Sequence, residues 1–179
     1  MPVESVFELL SGRDLHEKVI VEAVLRASDR VWIATADLKD MHVRQARGYV
    51  PILGAFDQLA RGGVRFRVIH ASDPSRPFRE TLDQYPLLTG GAMELQICPR
   101  SHWKMVLVDG DFAYFGSANF TGAGLGGRSP ERRNLEIGAV TRDPDAINEL
   151  EELFDKFWMG EFCERCAFRD RCPDPIPED

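Results

Sequence analysis

Residues 102–109 read His-Trp-Lys-Met-Val-Leu-Val-Asp, and Gly116-Ser117-Ala118-Asn119 follows a few positions later. Side chains alternate faces along an extended segment, so His102 and Lys104 project to one side and Asp109 to the other. By the same parity Ser117 goes with Asn119, and Asn134 with Glu136. Each residue type suits phosphodiester chemistry. A neutral imidazole attacks phosphorus, an ammonium and a side-chain amide stabilise charge on the phosphoryl oxygens, and a carboxylate orients the ring. None of these steps calls for a metal. A phosphohistidine must later be hydrolysed and the leaving oxygen protonated, so an acid–base partner is needed beside the nucleophile. The chain holds one copy of the whole pattern, and a second copy of the same strand would supply that partner.

The joint pattern, His102, Lys104 and Asp109 in HxKxxxxD spacing with Gly-Ser-Ala-Asn after it, resembles the phospholipase D superfamily. The resemblance is specific over roughly residues 98–140 and agrees only in general layout before them. It implies a phospholipase D-like α/β sandwich, a mixed sheet flanked by helices. It also implies His102 as nucleophile or general acid, Lys104 and Asn119 as holders of the phosphate, and Ser117 as a further hydrogen bond. Glu136 matches the acid that hydrogen-bonds the histidine, and Asp109 would be a structural brace. No catalytic cofactor is implied. Members usually carry two motifs in one chain; single-motif members resemble bacterial endonucleases that dimerise. The implied enzyme is a homodimer with two His102 residues facing each other across a twofold axis. The chain departs from the pattern in its long loop Thr121–Arg133, whose glycines and arginines would close over the site or shape substrate entry.

A nuclease acting on DNA or RNA is the first reading, and a phospholipase or phosphatidyl transferase acting on phospholipid shares its chemistry. A non-catalytic metal- or redox-sensing module is a third reading, against which intact His102 and Lys104 argue. Trp103 and Phe115 read as core rather than as base-stacking platforms.

Around this segment the chain reads as one catalytic domain, 1–160, with a Cys-containing tail, 161–179. Asp14 with Glu17 resembles a capping box, and Leu15, Val19, Val24 and Leu25 then predict a helix to about Ser28. Strands are predicted at Val31–Ala36, Val64–His70, Met93–Cys98, His102–Val108, Phe112–Ser117 and Asn134–Thr141, and a helix at Val50–Ala60. Asp37–Gly48 reads as an irregular connection and 71–90 as loop. Asp143 as N-cap, Pro144 at the first position and Ile147, Leu150, Leu153, Phe154, Phe157 and Trp158 at helical spacing predict a closing core helix.

In the tail, Cys163, Cys166 and Cys172 form C-x2-C-x5-C before Pro173, and Cys98 is the one remaining cysteine. Folded together they would make a four-thiolate site for zinc or an iron–sulfur cluster; the plain alternative is unligated thiols or disulfides.

The net charge of −7 argues against indiscriminate polyanion binding, but it is unevenly spread: residues 141–179 hold 12 acidic and 5 basic residues, and the preceding body is neutral. Arg128, Arg132 and Arg133 either supply local positive potential to a substrate or belong to a solvated loop. No apolar run reaches the length of a membrane span, and the first residues lack the plan of a signal peptide, so the expectation is a cytoplasmic protein.

Overall fold

The computed structural model describes residues 6–45, 48–125 and 127–176. Its frame is a seven-stranded mixed sheet made of β1 (Glu8–Ser11), β2 (Arg30–Thr35), β5 (Arg65–His70), β6 (Met93–Ile97), β7 (Met105–Val108), β8 (Phe112–Gly116) and β9 (Ile137–Thr141), in the order β1-β9-β8-β7-β2-β5-β6. β2, β5 and β6 run parallel, and every other neighbouring pair is antiparallel. Among the parallel strands β2 is a near-continuous apolar run, while β5 and the edge strand β6 carry charged or polar residues between apolar ones.

On one face lie α1, which runs Arg13–Leu15 and continues as a π-helical stretch His16–Ala23 and a tight turn Val24–Arg26, together with α2 (Ile52–Arg61) and α3 (Arg76–Leu82). Leu15, Val19, Ile20, Leu53, Phe56 and Phe78 from these helices pack on Val31, Ile33, Phe66, Val68, Val106 and Tyr114. The other face is covered by α4 (Pro144–Trp158), whose Ile147 and Phe154 meet Ala34, Ile69, Met105, Leu107 and Ala113. Asp143 accepts a hydrogen bond from the Ala146 N–H at 2.9 Å, the cap that the sequence predicts. Leu153 is an exception to the predicted stripe and is 42 % exposed.

Three local expectations are corrected. The stretch 37–48 contains a strand: β3 (His42–Gln45) pairs antiparallel with β4 (Gly48–Pro51), which also takes Val50 out of α2. Its His-Val-Arg-Gln sequence carries one buried side chain, Val43, too little for an alternation signal. The segment 71–90 contains α3, started by the Ser75 hydroxyl, which accepts from Phe78 N–H, and by Pro77 in the first turn. Finally, α1 has no capping box: Gly12, at φ 58°, turns the chain from β1 into the helix, and Glu17 is taken by Arg13 at 3.0 Å.

Candidate active site

One end of the sheet gathers the functional side chains, because β2 and β8 finish there while β7 and β9 begin. His102 and Lys104 do not lie in the ladder as predicted; β7 starts at Met105, and the three residues before it approach the sheet as an irregular segment. Alternation nevertheless carries through. Trp103 packs on Phe157 of α4 with ring centroids 5.2 Å apart, on the face of Met105 and Leu107, which leaves Lys104 with Val106 on the opposite face.

Lys104 is half-buried, and its Nζ donates to the His102 carbonyl at 2.9 Å. Burial pulls its pKa below the ordinary lysine value against Glu136 and Asp37, which both raise it. The two carboxylates therefore stand close to the ammonium. His102 is exposed, and its ring takes part in no hydrogen bond with the described residues. An imidazole without a hydrogen-bond partner among the described residues and a partly desolvated ammonium are groups that phosphoryl transfer can use.

Asn119 is held from β2. Its Oδ1 accepts from the N–H groups of Ala36 and Asp37 at 3.1 and 3.3 Å and from Thr35 Oγ1 at 3.3 Å. These donors fix the direction of the amide, so the NH2 group is the end left for a ligand. Thr35 is fully buried; its hydroxyl also donates to Asp37 O and accepts from Phe120 N–H, locking the chain on both sides of Asn119. Thr35 and Asp37 were not singled out in the sequence, since nothing local joins the end of β2 to a motif 65 or more residues away.

The structure ties Ser117 and Glu136 to each other rather than to the roles that the resemblance implies. Ser117 Oγ donates to Glu136 in a short contact and accepts from Ile137 N–H at 3.2 Å. Glu136 takes a second bond from Asn134 Nδ2 at 3.0 Å and none from His102. β9 begins at Ile137, three residues later than predicted, so Asn134 and Glu136 lie outside the ladder too. The glycine of Gly-Ser-Ala-Asn has a packing reason: a Cβ on Gly116 would stand 2.6 Å from Gly138 Cα across the β8–β9 pair.

Asp109 lies away from this cluster, in the β7–β8 turn at φ 55°. Its carboxylate accepts from Ser28 N–H, Ser28 Oγ, Asp29 N–H and Arg30 N–H at 2.7 to 2.9 Å. Burial pushes its pKa up, but these bonds outweigh burial and hold it below the ordinary carboxylate range. The geometry is that of a brace on the start of β2.

A groove of about 540 Å³ is lined by Arg13, His16, His42, Arg44, Tyr49, Arg128 and Arg133, among others. Arg128 and Arg133 thus meet there, and Arg132 is outside its lining. The loop that bears these arginines also touches the site, since Gly124 lies against Asn119 too closely for any Cβ. Tyr49, 71 % exposed on the β3–β4 hairpin, escaped the sequence reading because the hairpin did. Trp103 and Phe115 are packed as expected, Phe115 against Phe7 at 5.4 Å. A second His-x-Lys spacing, His16 and Lys18, lies in α1, where positions two apart face different ways; Lys18 pairs with Glu22 at 3.1 Å.

At the opposite side of Trp103, Cys98, Cys163, Cys166 and Cys172 all line one chamber of about 170 Å³. Among the described residues no three His, Cys, Asp or Glu side chains close around a single ion, so a zinc clip is not supported. No helix among the described residues is long and apolar enough to cross a membrane.

A family model described as cardiolipin synthase, phospholipase D-like domain, matches residues 20–158. No curated protein matches the chain. Among solved structures, NucT from Helicobacter pylori superposes with a TM-score of 0.62 at 16 % identity, over 85 % of this chain and 94 % of that one. Nuc from Salmonella typhimurium, described as a phospholipase D family member, gives 0.58 at 17 % identity over the same shares. TrmBL2, an archaeal chromatin protein, gives 0.58 at 15 % identity over 88 % of this chain and 53 % of its own. At these identities the likenesses speak for the fold.

Proposed function

The chain belongs to the phospholipase D superfamily, and we propose that it is a phosphodiesterase that cleaves nucleic-acid strands through a phosphohistidine on His102. The observation that carries this reading is that His102, Lys104 and Asn119 lie on segments that enter or leave the sheet at the same end, with the imidazole free of hydrogen bonds to the described residues. In the first step the His102 nitrogen bonds to phosphorus while Lys104 and Asn119 hold the non-bridging oxygens. The P–O bond breaks, and the leaving oxygen takes a proton from a second imidazole. That imidazole, now neutral, takes a proton from water; the hydroxyl oxygen attacks phosphorus and the P–N bond breaks, releasing a phosphomonoester and restoring His102. The residues themselves supply every proton and charge in this sequence, with no step routed through a metal.

The second imidazole comes from a twin subunit. Leu135 is fully exposed, Ile137 is 60 % and Leu9 74 % exposed, all close in sequence or across the β1–β9 pair to Glu136. Apolar side chains left bare around half a site suit burial against a second copy. Nucleic acid is favoured over phospholipid by the groove, whose four arginines answer a chain of phosphates and whose exposed Tyr49 offers a ring for a base to stack on.

The test is cleavage of single-stranded DNA, duplex DNA, RNA and phospholipid vesicles by purified protein in EDTA, beside His102→Ala. Cleavage of a nucleic acid by wild type alone, from a dimer by light scattering, is the expected result. Cleavage confined to phospholipid overturns the substrate, activity abolished by EDTA in a folded protein overturns the mechanism, and a fully active monomer overturns the shared site.

A further inference from the structure

We propose that the chamber formed by all four cysteines of the chain is the seat of a four-iron, four-sulfide cluster. Cys98 follows β6, its N–H bonded to His70 O at 2.8 Å, and the tail folds back to meet it. The tail is anchored by Asp174, whose carboxylate accepts from Ile97 N–H at 3.1 Å, and then by single turns in which Cys163, Cys166, Arg169 and Cys172 follow one another. These turns bring Cys163, Cys166 and Cys172 to the same cavity as Cys98, walled by Trp103, Phe157, Phe162 and Pro175.

Three features favour a cluster over a single ion. A tetrahedral zinc with four Zn–S bonds would hold its sulfurs about 3.8 Å apart around a point, and no such convergence exists among the described residues. The cysteines instead all line one cavity of about 170 Å³, open space that a cubane would use and a single ion would not. The walls are largely apolar and aromatic, and two cations are present to answer the net negative charge of a thiolate-bound cluster: Arg100, whose Nη1 lies 3.3 Å from Cys166 Sγ, and Arg169, which lines the cavity. The tail's C-x2-C-x5-C differs in spacing from the ferredoxin-type run and shares with it the first C-x2-C and a proline, Pro173, directly after the last cysteine. The tail has little core of its own, since Phe162 and Phe168 are 44 % and 50 % exposed. Ordering it costs about 1 to 2 kcal/mol of backbone entropy per residue, and four thiolate–iron bonds would offset that cost. Each thiol loses its proton on ligation.

The test uses the full chain without oxygen, given ferric iron, sulfide and dithiothreitol. The dithiol supplies the electrons that reduce half of the iron as the cluster assembles on the thiolates. The readouts are metal and sulfide content, colour and magnetic resonance, so the result is independent of the phosphodiesterase reading. The expected product is brown and keeps about four iron and four sulfide per chain through desalting, with a paramagnetic signal after dithionite reduction. Cys98→Ser and Cys172→Ala each lose the colour, with far-ultraviolet circular dichroism confirming the fold. The metal content of wild type stands as evidence even where a variant fails to fold. Tight retention of one zinc with exclusion of iron overturns the proposal, as does retention of neither metal, or colour that survives in a folded Cys98→Ser/Cys172→Ala double variant.

Discussion

Replacing Asp109 tests whether the aspartate of the motif braces the fold or serves the chemistry. Its four accepted hydrogen bonds join the β7–β8 turn to Ser28, Asp29 and Arg30, some 80 residues earlier. Counting about 1 kcal/mol for each bond, because water reaches part of the site, Asp109→Ala is expected to cost about 3 to 4 kcal/mol. For a chain of this size that lowers Tm by about 6 to 16 °C. Asp109→Gly removes the same bonds but relieves a left-handed backbone at φ 55°, so it should lie about 1 kcal/mol above alanine. Asp109→Asn keeps one acceptor oxygen and should lose about half of the alanine effect. The folded carboxyl titrates below the ordinary value of about 3.9, because hydrogen bonding outweighs burial. Its contribution is therefore complete well above that pH and is lost as acid brings the solution down through the folded value. Urea midpoints at pH 7 and below about pH 3 for the three variants measure this directly, alongside turnover per folded molecule in the cold. The brace is refuted if alanine costs less than about 1 kcal/mol, if alanine is more stable than glycine, or if asparagine abolishes turnover at unchanged stability.

Gly116→Ala should destabilise the chain by about 2 kcal/mol or more, since its Cβ meets backbone atoms of β9 that have no rotamer to change; a urea midpoint within error of wild type contradicts that contact. Arg44→Ala and Arg128→Ala should weaken single-strand binding and each reduce the slope of log K against log salt by about 1, and an unchanged slope removes the groove from the binding surface. Lys104 must stay protonated to hold phosphate, and burial lowers its pKa, so activity should fall on the alkaline side below the ordinary lysine value. Because Glu136 raises that pKa, Glu136→Gln should move the alkaline limb to still lower pH; a shift upward reverses the assigned electrostatics.

Six of the sheet's seven strands were legible as apolar or alternating runs between turn residues, β1 was not predicted because one of its four side chains is buried, and α4 was legible because its cap, proline and stripe agree. His102 and Lys104 were legible for another reason, namely that their spacing is a property of one segment. What could not be read is whatever is made by distant segments meeting. Thr35 and Asp37 bear on the site only because β2 lies beside β7, and the partner of Ser117's hydrogen bond could not be read because its bond to Glu136 crosses the β8–β9 junction. The β3–β4 hairpin, with little to bury, had no periodicity to show, and Tyr49 went unseen with it. The predicted β7 and β9 were each three residues too long at their start, an error that falls on the residues proposed to react.

His102, Lys104, Ser117, Asn119 and Glu136 all stand at or just beyond the ends of the ladders. Exchange of the exposed His102 side chain, which makes no hydrogen bond with the described residues, leaves the architecture's bonding intact, so rate and foldability can drift apart under mutation there. A lineage can then retire the reaction, or redirect it to another phosphoryl acceptor, while keeping the same scaffold. Exchange of His102 should yield a well-behaved, soluble protein rather than an aggregate, whereas exchange of Asn119 leaves the Ala36 and Asp37 N–H groups without their acceptor.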